Sequence, residues 1–236
     1  MPVAATRAAL FEPVPAGVWG FREWVGARVV AGCTDRHTDR PTVLSHLGAS
    51  ILAVEAEQIH GASIAIVERS SPLADPLAGC DALLTSVPGI ALVIRTADCL
   101  PIFFADPVRG VVGLAHAGWH GLAVHLPLRV VAALRHLYRS RPEDLQVAIG
   151  PAIRSCCYEV GSEFSASFGP SIQERAGRRT CDLIDVAVRQ MQACGIRRHR
   201  IFDVERCTAC EPQTWYSLRQ EGPSTGRLSS IIMLRP

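Results

Sequence analysis

The segment Ile90–His116, IALVIRTADCLPIFFADPVRGVVGLAH, decides the fold class because it holds three short apolar runs separated by turns. Each run has the length of a strand and contains β-branched or aromatic residues, so strands are predicted over Ile90–Arg95, Pro101–Ala105 and Val111–His116. The connections between these runs have the length of hairpin loops. Three such strands in succession predict a sheet at the centre of the protein.

The rest of the chain adds further strands and two amphipathic helices. The helices are predicted over Leu126–Tyr138, with Pro127 in the first turn, and over Asp182–Cys194, which Gly195 follows. The Pro-, Gly- and Arg-rich region up to about residue 48 is expected to hold one strand, Arg28–Cys33. Other strands are predicted over Ile51–Glu55, Ala62–Glu68, Val147–Gly150, Arg200–Val204 and Leu228–Leu234. This pattern favours an α+β or mixed-sheet fold. Residues 1–236 are expected to form a single domain, because no repeat or low-complexity linker interrupts them.

The composition favours a globular protein and excludes several classes. Hydrophobic residues make up 48% of the 236 residues, and the net charge is +2. The 24 basic residues are all Arg and lie scattered, so no basic stripe with interleaved aromatics indicates nucleic-acid binding. No apolar stretch predicts a membrane span, and the N-terminal segment does not resemble a signal peptide. The nine Cys are therefore interpreted as reduced thiols of a cytoplasmic protein.

Three short segments each place a reactive side chain at the end of an apolar strand. They are QIHG at 58–61, TADCLP at 96–101 and HAGWHG at 116–121. Strand ends usually present functional groups, and glycine lets the backbone approach a ligand closely. His, Cys and His with an open fourth position are the ligands typical of a catalytic zinc site. His116 and His120 have the spacing of a helical pair, but two glycines in six residues argue against a helix there.

Taken together, these segments resemble the laccase-domain family of YfiH-like proteins, formerly called polyphenol oxidases. Members of that family are regarded as purine nucleoside phosphorylases with adenosine deaminase activity. The family segments G-P-A-I, C-Y-E-V-G and T-G-R stand here as Gly150–Ile153, Cys157–Gly161 and Thr225–Arg227. The resemblance covers roughly Val29–Leu234. It implies a mixed α/β sandwich with central β-sheets covered by outer helices.

The resemblance also implies the metal ligands and the reaction. His60, Cys99 and His116 match the zinc-binding residues of the family, which favours His116 over His120 as a ligand. The implied partners are purine nucleosides and inorganic phosphate. The expected reaction converts adenosine, inosine, guanosine or methylthioadenosine to free base and ribose 1-phosphate, with deamination of adenosine as a second activity.

Five further residues are candidates for substrate binding or catalysis. Arg36, followed by Arg227, is the candidate to hold phosphate, because guanidinium binds phosphate with a permanently charged fork. His120 replaces an arginine of the family pattern, so anion binding there would depend on pH. Asp98 is interpreted as a general acid/base or as a partner of the ligands, and Gln58 as a residue that orients a ligand or contacts substrate. The region before residue 48 is shortened relative to the family, and the glycines that follow Arg36 in the family pattern are absent.

Three other functions use the same residues differently. A metal-free Cys/His hydrolase would use Cys99 as its nucleophile. A copper-dependent polyphenol oxidase is disfavoured, because the chain has eight His and no His-x-His pair. A non-catalytic scaffold would keep the fold alone. The sequence also permits a homodimer formed through edge strands.

A cysteine pattern lies outside these motifs. Cys207 and Cys210 have the CxxC spacing, and Cys156 and Cys157 are adjacent. The four are interpreted as ordinary thiols, since they would form a second metal site only if the fold brought them together.

Overall fold

Two six-stranded mixed sheets form the centre of the protein in a computed structural model. It describes residues 10–14, 18–22, 24–26, 28–47, 51–68, 76–175 and 177–236. The strands are β1 (Leu10–Val14), β2 (Val18–Arg22), β3 (Val29–Thr34), β4 (Leu52–Glu55), β5 (Ile64–Ile66), β6 (Ala82–Thr85), β7 (Ile90–Thr96), β8 (Leu100–Asp106), β9 (Val111–Ala117), β10 (Gln146–Ile149), β11 (Ile172–Arg175), β12 (Arg178–Cys181), β13 (Ile201–Asp203) and β14 (Leu228–Leu234). The helices are α1 (Arg40–Leu47), α2 (Trp119–Ala123), α3 (Leu126–Tyr138), α4 (Ser165–Phe168), α5 (Leu183–Ala193) and α6 (Leu218–Glu221).

Each sheet combines antiparallel and parallel pairs. The first has the strand order β1-β2-β3-β14-β7-β4 and the second β13-β10-β8-β9-β6-β5, while β11 and β12 form a separate hairpin. The pairs β4–β7, β5–β6 and β10–β13 are parallel, and the other pairs are antiparallel. Strand β9 of the second sheet packs against β7 and β14 of the first. The two sheets therefore form a sandwich.

The central strands are apolar along their whole length because both of their faces are buried. In β8, Phe103 points into the core between the sheets, whereas Ile102 and Phe104 point into the core on the outer side of the second sheet. In β7, Leu92 faces the inter-sheet core and Val93 faces outwards. Alternate side chains of each strand thus pack into two different cores, rather than into one core and solvent. The strands are therefore apolar throughout.

Helices cover the outer faces of the two sheets. Helices α3 and α5 contribute Val130, Leu134 and Met191 to the core on the outer side of the second sheet. Helix α1 places Val43 against β7 and β14 on the outer side of the first sheet. The predicted mixed α/β sandwich with outer helices is confirmed. No helix among the described residues is long and apolar enough to cross a membrane.

Two local predictions are wrong. The region before residue 48 holds β1, β2 and α1 besides the predicted strand. An aromatic contact of Trp19 in β2 with Trp215, 5.2 Å between ring centroids, stabilises β2 against the rest of the fold. Helix α1 follows Asp39, whose carboxylate accepts a hydrogen bond from the N–H of Thr42. The glycines of HAGWHG do not prevent a helix, since α2 includes Gly121. His116 nevertheless belongs to β9 and His120 to α2, so the two do not pair as helical neighbours.

Candidate metal centre

His60, Cys99 and His116 converge at one end of the second sheet. His60 lies in the loop after β4, Cys99 in the tight turn between β7 and β8, and His116 near the end of β9. One ligand atom from each lies within 4.8 Å of the others, and the two imidazole rings are nearly perpendicular, with centroids 4.8 Å apart. The structure therefore brings together, from three distant segments, the donor set predicted for a mononuclear metal site.

A buried carboxylate, Asp81, organises two of the three ligands. Its Oδ1 lies 2.8 Å from Nδ1 of His116 and accepts a hydrogen bond of 2.9 Å from the N–H of His60. Its Oδ2 accepts hydrogen bonds from the N–H groups of Gly61, at 2.7 Å, and Ile59, at 3.3 Å. With Nδ1 held by a carboxylate, Nε2 of His116 is the atom left to bind a metal.

Asp81 was not identified from the sequence. Its only signal is an Asp directly before the apolar strand ALLT at 82–85, which does not distinguish it from a residue that caps a turn. The contact between Asp81 and the QIHG loop spans about twenty residues of sequence and exists only in the folded protein.

The loop that carries His60 has a strained backbone that its neighbours hold in place. His60 has φ of 60°, in the left-handed region that non-glycine residues rarely adopt. Gln58 ties the loop to β7, because its Nε2 donates to the carbonyl of Arg95 at 2.6 Å and its Oε1 accepts from the N–H of Arg95 at 2.7 Å. Gln58 thus lies beside the ligands and fixes the position of His60.

Gly118 leaves room for the cluster. A Cβ atom at this position would lie 3.0 Å from Sγ of Cys99 and 3.3 Å from Cδ2 of His60. A side chain here would occupy the space next to the ligand atoms. The glycine of the HAGWHG segment is therefore required for close approach.

Hydrogen bonds within the cluster shift the pKa values of its ionisable groups towards their charged forms. Burial alone would raise the pKa of the Cys99 thiol, but hydrogen bonds with His116 and His60 outweigh it and lower the pKa to about 7. Burial alone would lower the pKa of His116, yet hydrogen bonds with Asp81 and Cys99 raise it to about 9. The pKa of Asp81 is lowered despite burial, because His116 and the N–H of Gly61 stabilise the carboxylate. A substantial share of Cys99 is thus thiolate, the form that binds metals, near neutral pH.

The ligands open onto a cavity of about 480 Å³. Its lining includes Gln58, Arg95, Thr225 and Arg227 beside the three ligands. Of the predicted phosphate-binding residues, Arg227 lies in this cavity, with its Nη1 donating to the carbonyls of Thr225 and Gly226. Arg95 is a further cationic residue of the cavity that the sequence did not single out. A larger cavity of about 750 Å³ borders the first sheet, but its lining is mainly apolar.

Arg36 and His120, two of the predicted substrate-binding residues, do not line this cavity. The Arg36 guanidinium pairs with Glu221 at 2.6 Å and lies over the ring of Tyr216. It therefore fastens the segment after residue 210 to the first sheet. The exposed ring of His120 packs against Trp119, with ring centroids 3.5 Å apart.

Asp98 lies behind the ligands. Its carboxylate accepts a hydrogen bond from Oγ1 of Thr208, at 2.6 Å, and another from the N–H of Arg219 at the start of α6, at 2.7 Å. Its backbone has φ of 88°, and the residue is buried. Asp98 therefore shapes the turn that presents the next residue, Cys99.

Comparisons with known proteins agree with this fold. The family model described as multi-copper polyphenol oxidoreductase laccase matches residues 34–235. The chain is 36% identical to the purine nucleoside phosphorylase YlmD of Geobacillus stearothermophilus over 75% of this chain and 70% of that protein. It is 29% identical to adenosine deaminase RL5 from an unknown prokaryotic organism, over 80% of this chain and 78% of that protein. The crystal structure of YlmD from G. stearothermophilus superposes with a TM-score of 0.87 at 31% identity, covering 97% of this chain and all of that one.

Proposed function

The chain belongs to the family described as multi-copper polyphenol oxidoreductase laccase, and we propose that it is a zinc-dependent purine nucleoside phosphorylase that also deaminates adenosine. The observation that carries this proposal is the convergence of His60, Cys99 and His116 at the base of an open cavity with Arg227 in its wall. Relatives named as purine nucleoside phosphorylase and adenosine deaminase support the same pair of reactions.

The donor set fits zinc better than copper. Two His and one Cys with an open position suit catalytic zinc. Blue-copper sites share these three ligands but add a weak axial ligand, usually Met, and no Met lines the described part of the cavity. Among the described residues, two groups of three or more ligand side chains lie close together, and one of them consists of Cys alone. The described residues therefore do not provide the His-rich clusters that several coppers would need.

The proposed phosphorolysis joins phosphate to the anomeric carbon of the ribose while the bond to the purine breaks. Arg227 is proposed to bind phosphate in the cavity, because guanidinium offers paired donors to phosphate oxygens. Arg95, which also pairs with Glu55 at 2.8 Å, is a second cation of the lining. A bound zinc would supply Lewis acidity that polarises a substrate oxygen or activates water for deamination. Asp81 keeps His116 in the tautomer that presents Nε2.

Gln58 and Asp98, the two predicted catalytic residues, are proposed to position the metal ligands rather than to react with substrate. Gln58 fixes the His60 loop by its two hydrogen bonds with Arg95, and Asp98 holds the turn before Cys99 through Thr208. Arg36 is proposed to stabilise the wall of the site from outside the cavity through Glu221. A contact of His120 with substrate stays a prediction.

Product analysis tests the proposal. Zinc-loaded protein is incubated with inosine or adenosine, with and without phosphate, and free base, ribose 1-phosphate and ammonia are measured. Phosphate-dependent release of base with equimolar ribose 1-phosphate is expected, together with inosine from adenosine. The His60→Ala variant serves as the control. Zinc-loaded protein that releases no more base than this variant would refute the proposal.

A metal-free Cys/His hydrolase is the second candidate. The lowered pKa of Cys99 beside His116, whose pKa is raised, is the arrangement of a reactive thiolate with its imidazolium partner. The two candidates differ in their response to chelation. Removal of zinc abolishes the phosphorolysis proposed above but would leave or increase the activity of a thiol hydrolase.

A further inference from the structure

Four cysteines that are remote in sequence meet at one place outside the cavity. Cys156 and Cys157 lie about fifty residues before Cys207 and Cys210, yet their sulfur atoms all lie within 4.8 Å of one another. The Sγ–Sγ distances are 3.6 Å between Cys156 and Cys207, 3.5 Å between Cys156 and Cys210, and 3.3 Å between Cys157 and Cys210. The fold therefore brings the four thiols together, as a shared metal site requires.

These three distances are close to, and slightly shorter than, the sulfur separations of a tetrahedral metal site. With Zn–S bonds of about 2.3 Å, the sulfurs of a regular tetrahedron of four thiolate ligands lie about 3.8 Å apart. The sulfurs of a disulfide lie about 2.05 Å apart. The sulfur separations resemble the first arrangement, and four cysteine thiolates are a common closed ligand set of structural zinc.

The backbone holds both cysteine-bearing loops in this geometry. A turn closed by the hydrogen bond from the N–H of Cys157 to the carbonyl of Arg154 directs the two adjacent thiols to the same side. The CxxC turn is closed by the N–H of Glu211 donating to the carbonyl of Cys207. The loops are joined by a parallel bridge between Ala152 and Cys207, with the N–H of Thr208 donating to Ala152.

A charge pair beside the cluster reinforces the same junction. Arg154 donates to both carboxylate oxygens of Asp203, at 2.9 and 2.8 Å. Such a bidentate pair fixes the orientation of both loops. The four thiols are therefore preorganised by contacts that do not involve sulfur.

We propose that Cys156, Cys157, Cys207 and Cys210 bind one zinc ion in a structural site with four thiolate ligands, separate from the centre formed by His60, Cys99 and His116. The site would clamp the 153–157 loop to the 207–210 loop. Both loops contact Asp98, through the N–H of Ile153 and the hydroxyl of Thr208. The second zinc would thus stabilise the frame that supports the turn of Cys99 without meeting substrate.

Metal content is the direct test. Protein purified under reducing conditions with zinc is expected to hold two zinc ions per chain by elemental analysis. Cys210→Ser is expected to hold one, and His60→Ala is also expected to hold one, while the two changes together leave none. Cys194→Ser, which alters a half-buried thiol outside both clusters, is the matched control and should keep two. One zinc in the wild type, unchanged by Cys210→Ser, would overturn the proposal.

Thiol protection in the unaltered protein provides a second test that does not depend on the folding of a variant. Cys156 and Cys210 are exposed, so reduced free thiols there should react quickly with iodoacetamide. If zinc binds, both are protected until a chelator is added, as mass spectrometry of the alkylated peptides would show. Rapid alkylation before chelation would count against the site, as would a disulfide found among the four cysteines of freshly purified protein.

Cobalt substitution separates this site from the proposed function. In the His60→Ala protein, which lacks the first centre, cobalt should still produce the sulfur-to-metal absorption of tetrahedral thiolate coordination. Its disappearance in His60→Ala with Cys210→Ser would assign the absorption to the four cysteines. Failure of phosphorolysis in the wild type would leave this result unaffected, and absence of the absorption would refute the second site alone.

Discussion

The two clusters of candidate metal ligands are linked through Asp98, which precedes Cys99 and accepts a hydrogen bond from Thr208. They differ in ligand number and surroundings. The first has three ligands from three segments, opens onto a cavity and is oriented by the buried carboxylate of Asp81. The second has four ligands from two loops and lies outside that cavity. A site with three protein ligands keeps a coordination position for substrate or water, whereas a site with four closes itself. Ligand number and access thus separate a centre suited to chemistry from one suited to stability.

The largest difference between the clusters should appear when one ligand is removed from each. Cys99→Ser is expected to lower kcat/KM for inosine phosphorolysis by more than about 100-fold, because changes that only disturb the partners of metal ligands already cost about 10- to 100-fold. Cys210→Ser should lower it by less than about tenfold and should reduce Tm instead. Steady-state kinetics and thermal unfolding of both variants measure this contrast. Equal losses of activity would contradict the division of roles.

Removal of the carboxylate behind His116 should have the next largest effect. Asp81→Asn keeps the shape but loses the charge, so zinc affinity at the first centre is expected to fall by about 10- to 100-fold. Zinc titration against a competing chelator measures the change. Asp106→Asn is the matched control, since Asp106 is also buried and accepts hydrogen bonds from two backbone N–H groups, of Val108 and Arg109, in the β8–β9 turn. An equal loss of affinity in the control would show that stability, not the contact with His116, is responsible.

Arg227 and Arg36 allow the substrate side of the first centre to be tested. Arg227→Gln should raise the KM for phosphate by about 10- to 100-fold, because a hydrogen bond to a charged group contributes about 1.5–3 kcal/mol. Arg36→Gln should leave this KM unchanged and lower Tm, since its guanidinium contacts Glu221 rather than the cavity. If Arg36→Gln alone changed this KM, phosphate would have to bind near Arg36 rather than near Arg227.

The smallest expected difference between the clusters is the pH dependence of thiol alkylation at Cys99 and Cys156 in the metal-free protein. The pKa of Cys99 is lowered to about 7, whereas burial and the neighbouring Cys210 raise the pKa of Cys156 to about 11. The thiolate is lost as pH falls below the pKa. Alkylation of Cys99 should therefore be half-maximal near pH 7 and fall about tenfold per pH unit well below it. Cys156 should still be accelerating at pH 9. Peptide mass spectrometry over pH 5–9 resolves the two rates, and coincident profiles would contradict the difference.

Much of the fold was predictable from local sequence. Buried strands such as Leu100–Asp106 are apolar throughout because they separate two cores, and this pattern is visible without any partner strand. The β1–β2 pair and α1 were not predicted. The two strands include Pro13 and Gly20, which disfavour strand locally, and tertiary contacts such as Trp19 with Trp215 compensate.

The first centre was predictable in its ligands but not in its surroundings. His60, Cys99 and His116 each belong to a short segment that contains glycine or Pro, and the resemblance of these segments to the family pattern selected the three residues, with His116 in place of His120. Asp81 offers no such pattern, because its role arises from a contact across the fold. The pairing of Arg36 with Glu221 outside the cavity is also a contact between distant segments. The match of Arg36 to a family segment therefore did not reveal it.

Most strands of the two sheets, the family and three candidate ligands of the first centre could be predicted from the sequence alone, since periodicity and compact motifs are local properties of a chain. The tertiary structure alone shows which groups that are distant in sequence become neighbours. Cys156 and Cys210 are 54 positions apart, and no spacing rule links them. They meet because β10 and β13 pair in parallel and carry their following loops to the same edge of the sheet. Strand pairing depends on the energy of the whole sheet, so the four-cysteine cluster became evident only in the folded chain.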